Sequence, residues 1–202
     1  MLTLPIAIIF ILLAIYARGF IRKHSIKLYI VVTIISILAF LITKFPLFFP
    51  IQKGAFGLSF FYVVMLTGAL KNKSKLRIAL FSVRKEYSIL GFIIISPHAL
   101  NNFIKYVMGD ISIPIFGIIA YSIMIPLFIT SFTIVRKKFK YTAWKNLQRF
   151  AYISYILLFV HLMVNSESPN KIVYIILFVF YGVLKAIYEI KKYTSKKANQ
   201  VD

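Results

Sequence analysis

Apolar residues run through this chain in stretches long enough to cross a lipid bilayer, and that leaves the backbone few solutions. In hydrocarbon every N–H and C=O must be bonded within the protein, so a spanning chain is a helical bundle or a closed barrel. A bilayer core of about 30 Å takes about 20 apolar residues per helix. Seven stretches fit helices, at about 3–17, 27–43, 54–70, 87–108, 112–134, 147–164 and 171–190. The chain is 60% hydrophobic, against roughly 45–50% for soluble domains. The predicted fold class is an all-α integral membrane protein, a bundle of about seven transmembrane helices, or six if the first stretch is not retained. That first stretch does not read as a signal peptide: no basic segment precedes it, and Arg18, Arg22 and Lys23 follow it as a stop-transfer flank would.

The connections alternate in charge. Arg18, Arg22, Lys23 and Lys27 flank the first connection, and Lys71, Lys73, Lys75, Arg77, Arg84 and Lys85 the third. Arg136, Lys137, Lys138, Lys140, Lys145 and Arg149 flank the fifth, and Lys185, Lys191, Lys192, Lys196 and Lys197 the C-terminal end. Only Lys44, Lys53, Lys105 and Lys171 remain for the opposite side. Basic residues collect on the cytoplasmic side, which predicts the N-terminus outside and the C-terminus in the cytoplasm. The net charge of +20 therefore reflects membrane topology, and no nucleic-acid partner is read from it; the lipid bilayer is the partner. Lys75–Lys85 mixes basic and apolar residues, as an interfacial helix or an ordinary basic loop would. The residues after Lys191 form a short basic tail, expected to fray.

Several chemistries are excluded. No cysteine is present, so there is no disulfide, thiol catalysis or Cys metal site. No Gly-rich phosphate-binding motif occurs, so FMN, FAD or a nicotinamide is not bound by an evident motif.

Two of the three histidines, His98 and His161, lie inside apolar stretches, where an ionisable side chain is costly and marks a functional site by default. His98 follows Lys85 by thirteen residues, and His161 follows Gln148 by thirteen. At 1.5 Å per residue both stand roughly 20 Å above the cytoplasmic ends of their helices, in the outer half of the membrane. Two imidazoles facing each other across a bundle suit a haem b iron; hydrogen-bonded packing residues or a proton relay are the other readings. Gly91 and Ser154 each precede a histidine by seven residues, nearly two turns, so each shares its face. They would make room for a macrocycle, or simply let helices pack closely. Asn101, Asn102 and Lys105, near the outer end of the His98 helix, would suit haem propionates. His24 sits in a basic connection and reads as solvated. Pro97 is a candidate kink, and Arg149 reads as snorkelling to the inner surface.

Trp144-x-x-Leu147-x-Arg149-Phe150-x-Tyr152 followed by His161-Leu162 resembles the ferric reductase-like transmembrane domain family, in particular its bacterial single-domain branch of the MsrQ (YedZ) type. Arg84-Lys85, Leu90-Gly91 and His98 resemble an upstream segment of that family. Pro126-Leu127-x-Ile129-Thr130-Ser131 resembles the end of the helix between. The resemblance covers about residues 54–190. It divides the chain into two N-terminal helices (1–53), a haem-binding bundle (54–190) and a basic cytoplasmic tail (191–202). It implies a b-type haem held by His98 and His161, with both as metal ligands and with Gly91 and Ser154 in the cofactor site. The family motif has L-H-R where this chain has Leu147-Gln148-Arg149, and two-haem relatives have a histidine where Lys85 stands. An inner haem is therefore not expected, and the count is one.

The function these readings give is a membrane electron-transfer subunit in a bacterial plasma membrane. It would take electrons from a quinol or a cytoplasmic flavin reductase and pass them to a secreted reductase or to ferric iron at the outer face. As an enzyme it would be an oxidoreductase subunit with no catalytic residue of its own. The alternative is a haem-free membrane protein of the same fold, serving as a small transporter or assembly partner.

The charge pattern predicts that a reporter fused after Asp202 is active only in its cytoplasmic form, and one fused before Leu2 only in its exported form. Activity of the N-terminal fusion in the cytoplasm would remove the first stretch from the membrane.

Overall fold

A computed structural model describes residues 2–42, 45–166 and 168–198. All regular structure among them is helical. The N-terminal part comprises α1 (Thr3–Tyr16), α2 (Arg18–Lys23), α3 (Ser25–Leu41), a single 3-10 turn (Pro46–Phe48) and the one-turn α4 (Phe49–Gln52). There follow α5 (Ala55–Thr67), α6 (Lys75–Ser82), α7 (Arg84–Val107), α8 (Ile115–Ile129), the short α9 (Thr133–Arg136), α10 (Tyr141–Asn165) and α11 (Ser168–Ala198). Each of the seven apolar stretches thus contains a helix.

Their lengths differ from the expectation. Only α7, α10 and α11 are long and apolar enough on their own to cross a membrane. Helices α1, α5 and α8 have 14, 13 and 15 residues, or about 20–23 Å at 1.5 Å per residue. Turns cut them short: Gly54 takes φ +76° immediately before α5, and α8 ends at Thr130 where Thr130, Ser131 and Pro126 close its last turn. At the other end α11 runs on to Ala198, through residues expected to fray. No Gly or Pro interrupts it after Gly182, and Glu189 pairs with Lys185 at 2.7 Å and faces Lys192 at 3.9 Å, side-chain spacings that support a helix. Lys44, one of the four basic residues that the charge pattern assigns to the outer side, lies outside the described residues, as does Asp202.

Helix α5 is the central post. Nearly every residue from Ala55 to Thr67 is buried, which a helix achieves only when neighbours surround it. It packs on α1 and α7, while α3 lies on the opposite flank of α7 and α8 pairs with α10. Hydroxyls tie the elements to one another's carbonyls: Ser59 donates to Thr3 O at 2.9 Å, Tyr87 to Phe10 O at 2.8 Å, Ser36 to Ile93 O at 3.1 Å and Tyr62 to Leu177 O at 3.2 Å. Below α5, cations satisfy the carbonyls that follow its last turn: Lys185 Nζ lies 3.3 Å from Gly68 O and an Arg77 guanidinium nitrogen 3.0 Å from Leu70 O. Ser74 caps α6 through the Arg77 N–H at 3.2 Å.

The outward faces are apolar. Ile8, Ile9 and Leu12 on α1, Ile30, Ile34 and Ile37 on α3, and Ile176, Val179 and Phe180 on α11 are all exposed. In water a patch of this extent is a liability; against lipid tails it costs nothing. The molecule is accordingly an all-helical protein suited to a bilayer.

Close packing of α5 on α7 depends on small residues. A Cβ at Gly57 would stand 2.6 Å from Ile95 Cβ, and one at Gly91 would stand 2.9 Å from Phe60 Cβ. Gly57→Val should destabilise the protein by about 1–3 kcal/mol through overpacking, read as a lower midpoint for unfolding in detergent. Gly182→Ala, where nothing lies within 4 Å, should leave that midpoint unchanged or slightly raised.

Candidate functional site

Helix α7 brings His98, and α10 brings His161, to the same level of the bundle. The two helices hardly touch along their length, and α8 packs against both. In the gap so left, the two imidazole ring centres lie 6.4 Å apart with their planes at 78°. A metal–imidazole bond of about 2 Å puts a ring centre roughly 3 Å from the metal, so two axial imidazoles on one ion stand about 6 Å apart. The observed spacing fits that arrangement.

His98 is held from three sides. Its Nδ1 lies 2.8 Å from Gln52 O. A carbonyl only accepts, so Nδ1 carries the proton and Nε2 the lone pair. Gln52 is itself fixed, its side-chain amide donating to Ala39 O at 2.9 Å and Ile42 O at 3.1 Å. Two residues on, Gly54 adopts φ +76°, and a Cβ there would meet His98 Cγ at 3.2 Å. The Asn102 amide donates to His98 O at 2.9 Å and stands 3.3 Å from both ring nitrogens. His161 rests on α8: a Cβ at Gly117 would lie 2.9 Å from its ring. Its other neighbour is Asn165, whose amide donates to His161 O at 2.8 Å and reaches Nδ1 at 3.2 Å.

Both rings face a cavity of about 690 Å³, within the range of about 300–1,000 Å³ typical of cofactor and ligand sites. Its walls include Phe61, Ile95, Phe103 and Tyr121, and its rim carries Lys53 and Lys105. Of the residues singled out in the sequence, His98, His161, Asn102 and Lys105 border this space and Asn101 does not. Gly91 and Ser154 do not line it either. Gly91 abuts Phe60 and Phe61, and Ser154 is buried with its hydroxyl donating to Ala120 O at 3.1 Å, so both serve helix–helix packing. His24 lies outside the cavity with its ring 4.6 Å from Phe20. Lys53, Gly54, Gly117 and Asn165 were not anticipated. The repeated His-x-x-x-Asn spacing, at 98/102 and 161/165, was the available signal for Asn165.

Toward the Arg84 end of α7 the space between the same helices is filled. Phe92 stacks on Phe128 at 4.3 Å and on Tyr121 at 5.0 Å, with Phe61 and Met124 packed around them. Tyr121 and Ser96 share a hydrogen bond of 2.9 Å. Gln148 is engaged with the end of α8, its amide 3.2 Å from Thr130 Oγ1 and 3.4 Å from Leu127 O. Trp144 Nε1 donates to Thr130 O at 3.2 Å, and Arg136 lies over the indole at 4.1 Å. Lys85 pairs with the buried Glu86 at 3.2 Å. Trp144 and Gln148 thus dock the start of α10 on the end of α8.

Among the described residues no group of three or more His, Asp or Glu side chains could hold a bare metal ion. Two imidazoles suffice only for a metal that brings its other ligands with it, as haem iron does.

No family model matches the chain, and no solved structure matches it. It is similar to a protein of Treponema pallidum (strain Nichols) described as an uncharacterized protein, 28% identical over 153 residues; the match takes in 69% of this chain and 42% of that relative, so the chain spans less than half the relative's length.

Proposed function

We propose that the chain is a seven-span membrane subunit, N-terminus outside and C-terminus in the cytoplasm, that holds one b-type haem and passes electrons to an acceptor at the outer face. One observation carries this reading: two histidines from separate helices stand 6.4 Å apart on a largely apolar cavity. The resemblance to the ferric reductase-like transmembrane domain family points the same way. When bound, the haem would supply one-electron chemistry, and two imidazole ligands would direct it to electron transfer in preference to oxygen binding.

The chain's own residues do the rest. His98 and His161 would hold the iron. Lys53 and Lys105, which line the cavity, would offer positive charge and charge-assisted hydrogen bonds to the carboxylates of a porphyrin. Phe61, Phe103 and Tyr121 give the cavity an apolar wall for a macrocycle. The stacked Phe92, Phe128 and Tyr121 occupy the inner half, and Gln148 is committed to α8, which favours one haem over two. A cytoplasmic donor would then face a gap of roughly 20 Å, which a quinol dissolved in the lipid avoids. The acceptor class is a secreted reductase or ferric iron.

Protein produced in haem-sufficient bacterial cells and purified in detergent should carry one haem per chain by the pyridine haemochrome assay. The count should stay at one in Gln148→His, since a single imidazole does not empty the aromatic stack, and fall to zero in the His98→Ala/His161→Ala double variant. Two haems in the wild type would contradict the filled inner half. None would favour a haem-free transporter or assembly partner.

A further inference from the structure

Two ligands of one metal need not be equal, and the surroundings of these two are not. His98 has its Nδ1 proton committed to Gln52 O at 2.8 Å. That bond leaves Nε2 with a lone pair, and the Asn102 NH2 group, equidistant at 3.3 Å from both ring nitrogens, stands over the ring and is aimed at neither of them. The acceptor is a backbone carbonyl, anchored through the Gln52 side chain to the end of α3, and the ring is backed by Gly54. A histidine whose second nitrogen donates to a carbonyl is oriented and made more basic as a ligand.

His161 is in the opposite condition. The Asn165 amide has its NH2 group 2.8 Å from His161 O, which fixes which way the amide faces, because an amide oxygen there would repel the carbonyl. The same NH2 group lies 3.2 Å from Nδ1, so Nδ1 accepts and the proton sits on Nε2. Neither nitrogen is free as the ring stands. Ligation through Nε2 would move the proton to Nδ1, against a donor; ligation through Nδ1 would use the lone pair Asn165 occupies. Either route gives up the Asn165 contact. Gly117 supports the ring by packing alone.

We propose that His98 is the permanent ligand and His161 the exchangeable one, so that the site can release His161 and admit a small neutral ligand on that side of the metal while the cofactor stays on His98. This rests on the haem reading above. Gln52, Gly54 and Asn165 are then positioning residues: the first two secure His98, and the third weakens His161.

The test is carbon monoxide uptake by the dithionite-reduced, purified protein, together with haem retention through gel filtration. His161→Ala should keep its haem and take up carbon monoxide without the slow phase of the wild type, whereas His98→Ala should lose the haem. Asn165→Leu, which removes the competing donor, should slow carbon monoxide uptake about tenfold, within the 10–100-fold range of outer-shell effects on metal sites. Gly54→Ala, a milder disturbance than His98→Ala, should release haem about tenfold faster than the wild type. Equal loss of haem from both single histidine variants, retention in His98→Ala alone, or an Asn165→Leu rate equal to wild type would overturn the inequality. A wild type that binds no haem would instead overturn the reading on which it rests.

Discussion

A hydroxyl, imidazole or amide set among apolar helices has no water to turn to, so each must find its partner within the protein. In this bundle the partner is repeatedly a backbone carbonyl of another helix. Ser59, Tyr87, Ser36, Tyr62 and Ser154 each donate across to one, and Trp144 does the same to the end of α8. Helix association in lipid draws little from the hydrophobic effect, so close packing and such bonds carry it. The His98–Gln52 bond belongs to the same set. It anchors α7 to α4 and fixes the ring that borders the cavity, so the requirement that holds the bundle together also prepares its site.

The cavity follows from where that packing stops. Glycines at 57 and 91 bring α5 and α7 into contact, and Ser154 brings α10 onto α8. Below the histidines, phenylalanine and tyrosine side chains stack to fill the space between these pairs. At the level of the histidines the space stays open, as a cavity of about 690 Å³. Under the proposed function the same division sets the electron route: a filled inner half shuts out a second cofactor and leaves the lipid-facing side as the approach for a donor.

Much of this was legible in the sequence. Each apolar stretch contains a helix, because length and composition decide that in a chain with so few polar residues. The meeting of His98 and His161 followed from counting residues from the basic ends of their helices. Other features depend on neighbours that a single sequence does not display. Gly91 shares a face with His98, but what lies opposite that face is Phe60, so the glycine serves packing. The start of α5 is set by a turn at Gly54, whose φ is +76° and whose missing Cβ leaves room for the His98 ring. Lys53 reaches the rim through that same turn. The asymmetry between the histidines lies in hydrogen bonds, although the paired His-x-x-x-Asn spacing was present in the sequence to be read.

Electron paramagnetic resonance of the oxidised, purified protein tests the central claim, a single haem between His98 and His161, most directly. Axial imidazoles with nearly perpendicular planes give a low-spin ferric signal of extreme anisotropy, whereas parallel planes give a three-line rhombic one. With the rings at 78°, the strongly anisotropic low-spin signal is expected, at one spin per chain. A sample with no haem signal, or with only the high-spin signal of iron lacking one imidazole, would contradict it.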